Sequence, residues 1–224
     1  WETKDLGYER HLKTRTWGAE VFPGSSVPNA MVQLSPVTQF RSGAGYQYED
    51  TVIYGFSHTN KGHWNLLHLP VLPVTGNVSS GDYASTYSHS NESARPGYYQ
   101  VFLERYGVNA ELTSTLRCAY HKYTFRPDDD KKVLVDITRT NNGVRDWSIQ
   151  KVDDYTFSGN QDAEGNIRFY AVSNYKIEDI RQLKDGEHEV SVVSFADSKG
   201  SKPLELKIGF SFVSIDNAKM NLEQ

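Results

Sequence analysis

Apolar and polar residues alternate with a period of two along much of the second half of the chain. The clearest example is the run 108–125, in which one parity is mainly apolar: Val108, Ala110, Leu112, Ser114, Leu116, Cys118, Tyr120 and Lys122. Side chains of a β-strand point alternately to its two faces, so such a run is typical of a half-buried strand. The sequence therefore predicts a strand in this segment.

Residues that favour tight turns separate this run from several further alternating runs. They are Asn141-Asn142-Gly143, Gly159-Asn160, Glu164-Gly165, Asp185-Gly186 and Lys199-Gly200. The sequence contains no long segment with helical periodicity and no regular alternation of strands with helices. Many strands with regular turns between them indicate an antiparallel sandwich or barrel. We therefore predict an all-β fold.

The last residues break this pattern. Ser214 is a favourable N-cap, and Asp216 would fall in the first turn of a helix that follows it. One face of that helix would carry Ile215, Ala218 and Leu222, with Met220 as a further candidate. We predict a β-domain over residues 1–213 and, over 214–224, the start of a helical linker to a further domain.

Composition excludes several classes of partner. The 224 residues carry a net charge of −4 and no block of basic residues, so neither nucleic acid nor an anionic membrane surface is a predicted partner. No apolar run approaches the roughly 18 residues of a membrane span. The one cysteine, Cys118, excludes an internal disulfide and a cysteine-based zinc site.

The loop at 55–70, GFSHTNKGHWNLLHLP, concentrates candidate chemistry. His58, His63 and His68 are spaced five residues apart, with Trp64 beside the middle one. This spacing brings them to a common face of neither a helix nor a strand, so they could meet only in an irregular loop. A metal site, a catalytic loop and a sugar-binding rim all remain open at this point.

No motif in the sequence identifies a reaction. There is no nucleophile elbow, no phosphate-binding glycine loop and no HExxH zinc motif. The carboxylates of Asp128, Asp129 and Asp130 lie beside lysines in a predicted turn, where a solvated role is expected. His89 and His121 occur in strand-like runs, where a hydrogen-bonded structural role is favoured over ligation.

Four segments, taken in order, resemble the N-terminal domain of glycoside hydrolase family 92, the calcium-dependent, exo-acting α-mannosidases. They are FPGSSVPNAMVQLSPVT at 22–38, YGFSHT at 54–59, YSHSNESARPGYYQVFL at 87–103 and VNAELTSTLRCAYHKYTF at 108–125. The resemblance runs from about Trp17 to the end of the chain, and the order of its motifs makes it specific.

The resemblance implies a large antiparallel β-sandwich of the galactose-mutarotase-like (super-sandwich) kind that caps an (α/α)6 catalytic domain. The catalytic acid, the base and most calcium ligands would belong to that second domain, so this chain would be inactive alone. The implied enzyme is an inverting exo-α-mannosidase that acts on mannose-containing glycans of N-glycan or yeast-mannan type. Secretion to the periplasm or cell surface of a bacterium is likewise implied.

The implied contribution of this domain is a set of loops at the rim of the sugar pocket. Trp64 is a candidate stacking platform for the leaving-side sugar, and His58, Asn60 and His63 are candidate hydrogen-bond donors to sugar hydroxyls. Phe22 is a candidate second wall. Core packing is the competing interpretation for both aromatic residues, and the departure from the family pattern at 60–65 leaves the preferred linkage open.

Two other functions compete with this interpretation. A free-standing carbohydrate-binding β-sandwich would bind mannosides without a partner domain. A metalloenzyme site would use His58, His63 and His89 as ligands, and a transition metal at such a site would distinguish it from the calcium expected for the family.

Overall fold

The computed structural model describes residues 22–61 and 64–223, with only the backbone of Asn60, Lys61 and Trp64. Two antiparallel sheets make up most of this part of the chain, as the alternating pattern predicts. In the order in which the strands pair, the seven-stranded sheet contains β1 (Ser25–Ser26), β2 (Gln33–Val37), β4 (Gly55–Ser57), β7 (Val71–Val74), β13 (Lys132–Val135), β18 (His188–Phe195) and β17 (Ile177–Asp185).

The second sheet has eight strands and is built almost entirely from the second half of the chain. In pairing order, it contains β14 (Asp146–Lys151), β15 (Thr156–Asp162), β16 (Ile167–Ser173), β19 (Leu204–Ser211), β12 (Cys118–Thr124), β11 (Val108–Ser114), β10 (Tyr98–Leu103) and β9 (Glu92–Arg95). The remaining strands form two small two-stranded ribbons. In one, β3 (Val52–Ile53) pairs with β8 (Ser85–Thr86), and in the other, β5 (Asn60–Lys61) pairs with β6 (Trp64–Asn65).

The two sheets pack face to face over one apolar core. Phe56 of β4 lies between Tyr99 of β10 and Tyr123 of β12, with ring centroids 6.4 and 6.3 Å apart. All three side chains are buried. Facing sheets that enclose alternate residues of each strand form a β-sandwich, so the predicted fold class is confirmed.

The predicted strand at 108–125 is two strands. A hairpin turn interrupts it, with Thr115 N–H donating to Cys118 O at 2.9 Å and Leu116 exposed at its tip. The turn reverses the parity, so β11 buries Val108, Ala110 and Leu112, whereas β12 buries Ala119, His121 and Tyr123. The segment contains no Gly, Pro or Asn at the turn, which is why the alternation alone did not reveal it.

The predicted C-terminal helix is present as α1 (Ile215–Glu223). Ser214 caps it, since its Oγ accepts from Asn217 N–H at 3.1 Å. Ala218 is fully buried against β19, where Gly209 permits the approach because a Cβ there would lie 2.1 Å from Ala218 O. Met220 is half exposed and does not join the buried face. In the described part of the chain no helix is long and apolar enough to cross a bilayer.

Candidate functional site

The histidine-rich loop leaves the seven-stranded sheet after β4 and returns to it at β7. The backbone closes the base of the loop, because His58 N–H donates to His68 O at 3.1 Å and Leu66 N–H donates to Thr59 O at 3.2 Å. The ribbon β5–β6 forms the tip, with Asn60 opposite Asn65 and Lys61 opposite Trp64. His63 lies outside the described residues, so its predicted contact with a sugar stays a prediction.

His58 lies inside the sandwich and bridges its two sheets. Its Nε2 is 3.0 Å from His121 Nε2 on β12, and its ring packs 4.7 Å from that of Phe210 on β19. His121 Nδ1 in turn lies 2.7 Å from Tyr123 Oη. Both imidazoles are fully buried, so no atom of His58 faces solvent to meet the sugar hydroxyl that sequence reasoning assigned to it.

Burial keeps these histidines neutral. It lowers the pKa of His58 to about 3 and that of His68 to about 4, and it holds the pKa of His121 well below its ordinary value. Desolvation is the largest cause in each case, because an imidazolium loses its hydration inside the protein. His68 Nδ1 lies 2.6 Å from Thr59 Oγ1, as expected for the structural role favoured for this residue.

His89 serves a second buried network rather than the loop. Its Nδ1 lies 2.6 Å from Glu92 Oε2 and its Nε2 lies 2.6 Å from Tyr48 O. The Glu92 carboxylate also accepts the hydroxyls of Tyr46 at 3.1 Å and Tyr99 at 2.6 Å. His58 and His89 therefore have separate partners, and within residues 22–61 and 64–223 no group of three or more metal-binding side chains comes together.

Asn141 ties the histidine loop to its neighbours. Its amide donates to Ser42 O at 2.8 Å and to Asn65 O, while its Oδ1 accepts from Arg41 N–H at 2.6 Å. Asn65 adds a bond from its own amide to Ala44 O at 3.0 Å. These buried bonds hold three segments, distant in sequence, as one platform at this end of the sandwich.

The returning arm of the loop has an unusual backbone. Leu67 and Leu69 are both buried and adopt left-handed conformations, with φ of 55° and 49°. Both N–H groups donate to side-chain oxygens. Leu67 N–H donates to Asn65 Oδ1 at 2.9 Å, and Leu69 N–H donates to Gln161 Oε1 of β15 at 2.8 Å. Non-glycine residues in this conformation are strained and persist where surrounding contacts fix them. These hydrogen bonds therefore fix the backbone conformation of the returning arm.

An open cleft of about 560 Å³ adjoins the base of the loop. Its lining comprises Arg145, Ala163, Glu164, Gly165, Asn166 and Phe212. A Cβ on Gly165 would lie 3.7 Å from both His68 and Phe212, so the cleft and the loop are direct neighbours. Phe212 is 53% exposed, and Arg145 donates to Asn166 Oδ1 at 2.7 Å. An exposed aromatic ring beside fixed polar groups suits the faces and hydroxyls of a sugar.

Sequence reasoning missed this cleft, because its residues come from two separate turns and from the end of β19. Of the predicted site residues, Phe22 is half-buried and precedes Gly24, whose backbone packs against Leu34. Asn60 and Trp64 are placed at the loop tip by backbone pairing alone. The roles predicted for Phe22, Asn60 and Trp64 stay predictions.

A family model described as the glycosyl hydrolase family 92 N-terminal domain matches residues 11–211. A family GH92 α-mannosidase from Bacteroides thetaiotaomicron, solved in complex with mannoimidazole, is 27% identical, with a TM-score of 0.82 over 92% of this chain and 32% of that one. A GH92 inverting mannosidase from the same species is 22% identical, with a TM-score of 0.79 over 92% and 30% of the two chains, and shows the same fold.

A relative from Arthroderma benhamiae, named an uncharacterized secreted glycosidase, is 23% identical over 92% of this chain and 29% of its own length. The chain thus spans about a third of the length of these relatives. The family match covers most of the chain and agrees with the resemblance carried by the four sequence segments. The chain belongs to glycosyl hydrolase family 92, of which it carries the N-terminal domain.

Proposed function

We propose that this chain is the N-terminal domain of a secreted, exo-acting, inverting α-mannosidase that acts on mannose-containing glycans of N-glycan or yeast-mannan type. Its role is to supply the rim of the substrate pocket, and the catalytic domain of the same polypeptide supplies the chemistry. The observation that carries this proposal is the platform fixed by Asn141, which holds the histidine loop beside an open cleft with an exposed aromatic ring.

The rim roles divide between the loop tip and the cleft. Trp64 is proposed as the stacking platform for the leaving-side sugar, Asn60 and His63 as hydrogen-bond partners of its hydroxyls, and Phe22 as a second wall. Phe212 adds an exposed ring at the neighbouring cleft. His58 positions the loop from inside the core, since its ring bonds to His121 and to the backbone of His68.

The acid and the base of an inverting hydrolysis are assigned to the remainder of the polypeptide. Inversion requires two carboxyl groups about 6.5–9.5 Å apart with a water molecule between them. Calcium, expected for the family, prefers oxygen ligands, and the described residues bring no three metal-binding side chains together. On the family resemblance, we propose that the ion is held mainly by the catalytic domain, and no step here depends on it.

Activity of this chain with and without its catalytic domain tests the proposal. The 224-residue chain should leave an α-linked mannobiose intact, whereas the full-length polypeptide should release mannose, first seen by NMR as the β-anomer. Hydrolysis by the chain alone, or first release of the α-anomer, would contradict the proposal. Affinity for mannosides in a chain that its source organism produces as a species of 25.4 kDa, without a catalytic domain, would favour a free-standing carbohydrate-binding module.

A further inference from the structure

A second cleft, of about 550 Å³, lies on the outer face of the eight-stranded sheet at its β9 edge. Besides Glu92, its lining comprises Ser90, Asn91, Ser93, Gln100, Phe102 and Asn109. Its volume falls in the range of about 300–1,000 Å³ that is typical of small-ligand sites. The cleft shares no residue with the histidine loop or with the cleft at Phe212.

Strand register places the side chains of this cleft on one face. Ser93 of β9 lies opposite Gln100 of β10, and Phe102 lies opposite Asn109 of β11. The residues that alternate with them, Val101 and Ala110, are fully buried in the core. Ser93, Gln100, Phe102 and Asn109 therefore project outward from the two rungs on either side of the Val101–Ala110 rung, and side chains on the same face of such neighbouring strands are close.

The polar groups of this cleft are partly fixed and partly unused. Gln100 donates through Nε2 to Asn109 Oδ1 at 3.0 Å and accepts the hydroxyl of Tyr98 at 3.0 Å, which orients both amides. Three other side-chain groups have no hydrogen bond to another described residue: Asn109 Nδ2, Ser93 Oγ and the side-chain amide of Asn91. A fixed amide with free donors is a preorganised partner for a hydroxyl-rich ligand.

Among the residues that the structure describes, no unpaired charged side chain lines the cleft. The carboxylate of Glu92 points into the core, is only 1% exposed and is bonded to Tyr99 and His89. Glu111, beyond Gln100, is paired with Lys122 at 3.0 Å. A charged ligand would lose hydration here without gaining a partner of opposite charge, so the cleft suits a neutral one.

We propose that this cleft binds a neutral sugar unit of a glycan. The ring of Phe102 packs against the C–H face of the sugar, and the side chains of Asn91, Ser93 and Asn109 bond to its hydroxyls. The two chemical features of a sugar, an apolar ring face and a rim of hydroxyls, are thus both matched. The inference does not depend on the mannosidase proposal, because it concerns binding by the chain itself.

NMR titration of the 224-residue chain tests this site. The probes are methyl α-mannopyranoside, methyl α-glucopyranoside and an α-linked mannotriose. We expect saturable shifts of the backbone amides of Ser90–Ser93 and of the side-chain amides of Gln100 and Asn109, with a dissociation constant on the order of 1–10 mM. Absence of saturable shifts at these residues with all three probes, up to about 50 mM, would overturn the proposal.

Two variants refine the test. Asn109→Ala and Phe102→Leu should each weaken binding by about fivefold or more, whereas Asn160→Ala, an outward-facing asparagine of β15, should leave it unchanged. Tyr155→Leu is the control for an exposed aromatic ring elsewhere, since Tyr155 is 49% exposed and lines neither cleft. If either cleft variant is too unstable to measure, shift mapping on the unaltered chain still decides. Shifts that map to the residues around Phe212 instead would also overturn the proposal.

Discussion

The Nε2 atoms of His58 and His121 lie 3.0 Å apart in the interior, at the point where the histidine loop leaves the first sheet and meets the inner face of the second. One imidazole must donate and the other accept, and burial, which lowers the pKa of both rings, keeps both neutral in the folded protein. A polar bond of this kind replaces part of the apolar core directly beneath the candidate rim. It makes the position of the loop depend on the protonation of groups that solvent does not reach.

The first prediction concerns acid stability. An unfolded histidine has a pKa of about 6.5, whereas His58 and His68 have folded pKa values of about 3 and about 4. Between these limits the unfolded chain binds more protons, so the free energy of unfolding falls as pH drops below about 6.5. We expect a loss on the order of a few kcal/mol between pH 7 and pH 4.5, measured by urea denaturation.

Carboxylates change the free energy of unfolding at lower pH than the histidines do. Hydrogen bonds from Lys132, Gly76 and Thr75 lower the pKa of Asp130 despite its burial, so its contribution disappears only below the unfolded value of about 4. His58→Gln, which cannot ionise, should reduce the slope between pH 6.5 and 4.5. Equal stability of the unaltered chain at pH 7 and pH 4.5 would refute the assignment.

The second prediction concerns the Asn141 platform. Asn141→Ala removes two buried hydrogen bonds and one part-buried one, and it leaves the carbonyls of Ser42 and Asn65 without their donor. We expect a loss of about 2–3 kcal/mol in the free energy of unfolding and faster proteolysis within residues 58–68. The adjacent, exposed Asn142→Ala is the matched control and should change stability by no more than about 0.5 kcal/mol. Equal losses of stability in the two variants would show that the hydrogen bonds of Asn141 do not stabilise the fold.

The third prediction concerns the packing of α1 against β19. Gly209→Ala places a Cβ 2.1 Å from Ala218 O, and we expect about 1–3 kcal/mol of destabilisation as the helix moves off β19. Cys118 reports this movement, because its thiol donates to Asn221 O at 2.9 Å and burial raises its pKa. Alkylation of Cys118 should accelerate in this variant.

Gly97→Ala is the control for the helix experiment. It introduces backbone strain at φ 76° but meets no atom within 4 Å, so alkylation of Cys118 should keep its original rate. If both variants react as fast as the unaltered chain, the contact between Gly209 and Ala218 does not seat the helix.

The fourth prediction concerns Phe212 and rests on the proposed rim. In the full-length polypeptide, Phe212→Ala should raise KM for an α-linked mannobiose by about three- to tenfold with little change in kcat, because a rim contact acts on binding. Leu116→Ala, at the exposed tip of the β11–β12 hairpin, is the matched control, since Leu116 and Phe212 are similarly exposed at 52% and 53%. An unchanged KM in both variants would remove Phe212 from the rim.

Alternation predicted an antiparallel sandwich or barrel, because it reports which face of a strand is buried, and that information is local. The family resemblance favoured the sandwich, which the structure has. The turn at Leu116 escaped prediction because it has no turn-forming residue and because the O atom of Leu116 accepts from Met31 and Val32, far away in sequence. Local chemistry identified the helix cap at Ser214, whereas the exposure of Met220 depends on how α1 meets β19. Element types were therefore predictable, and contacts between distant segments were not.

In the candidate site too, local features were predictable from the sequence and contacts between distant segments were not. The histidines of the sequence located the loop, and their five-residue spacing indicated that His58, His63 and His68 do not share a regular face. The family resemblance then suggested a rim role for the loop. The burial of His58 depends on His121, 63 positions along the chain, and on Phe210. The cleft at Phe212 joins residues from separate turns that only the assembled sheets bring together. No local pattern in the sequence carries such information.

The bonds that fix the histidine loop end largely on main-chain atoms. Asn141 and Asn65 hold the carbonyls of Ser42 and Ala44 and the N–H groups of Arg41 and Leu67. Every residue supplies the carbonyl and every residue except proline supplies the N–H, so the anchors place little demand on the side chains of these residues. Substitutions of the side chains that these bonds leave untouched can thus accumulate without altering the course of the loop, so its surface can vary on a constant scaffold.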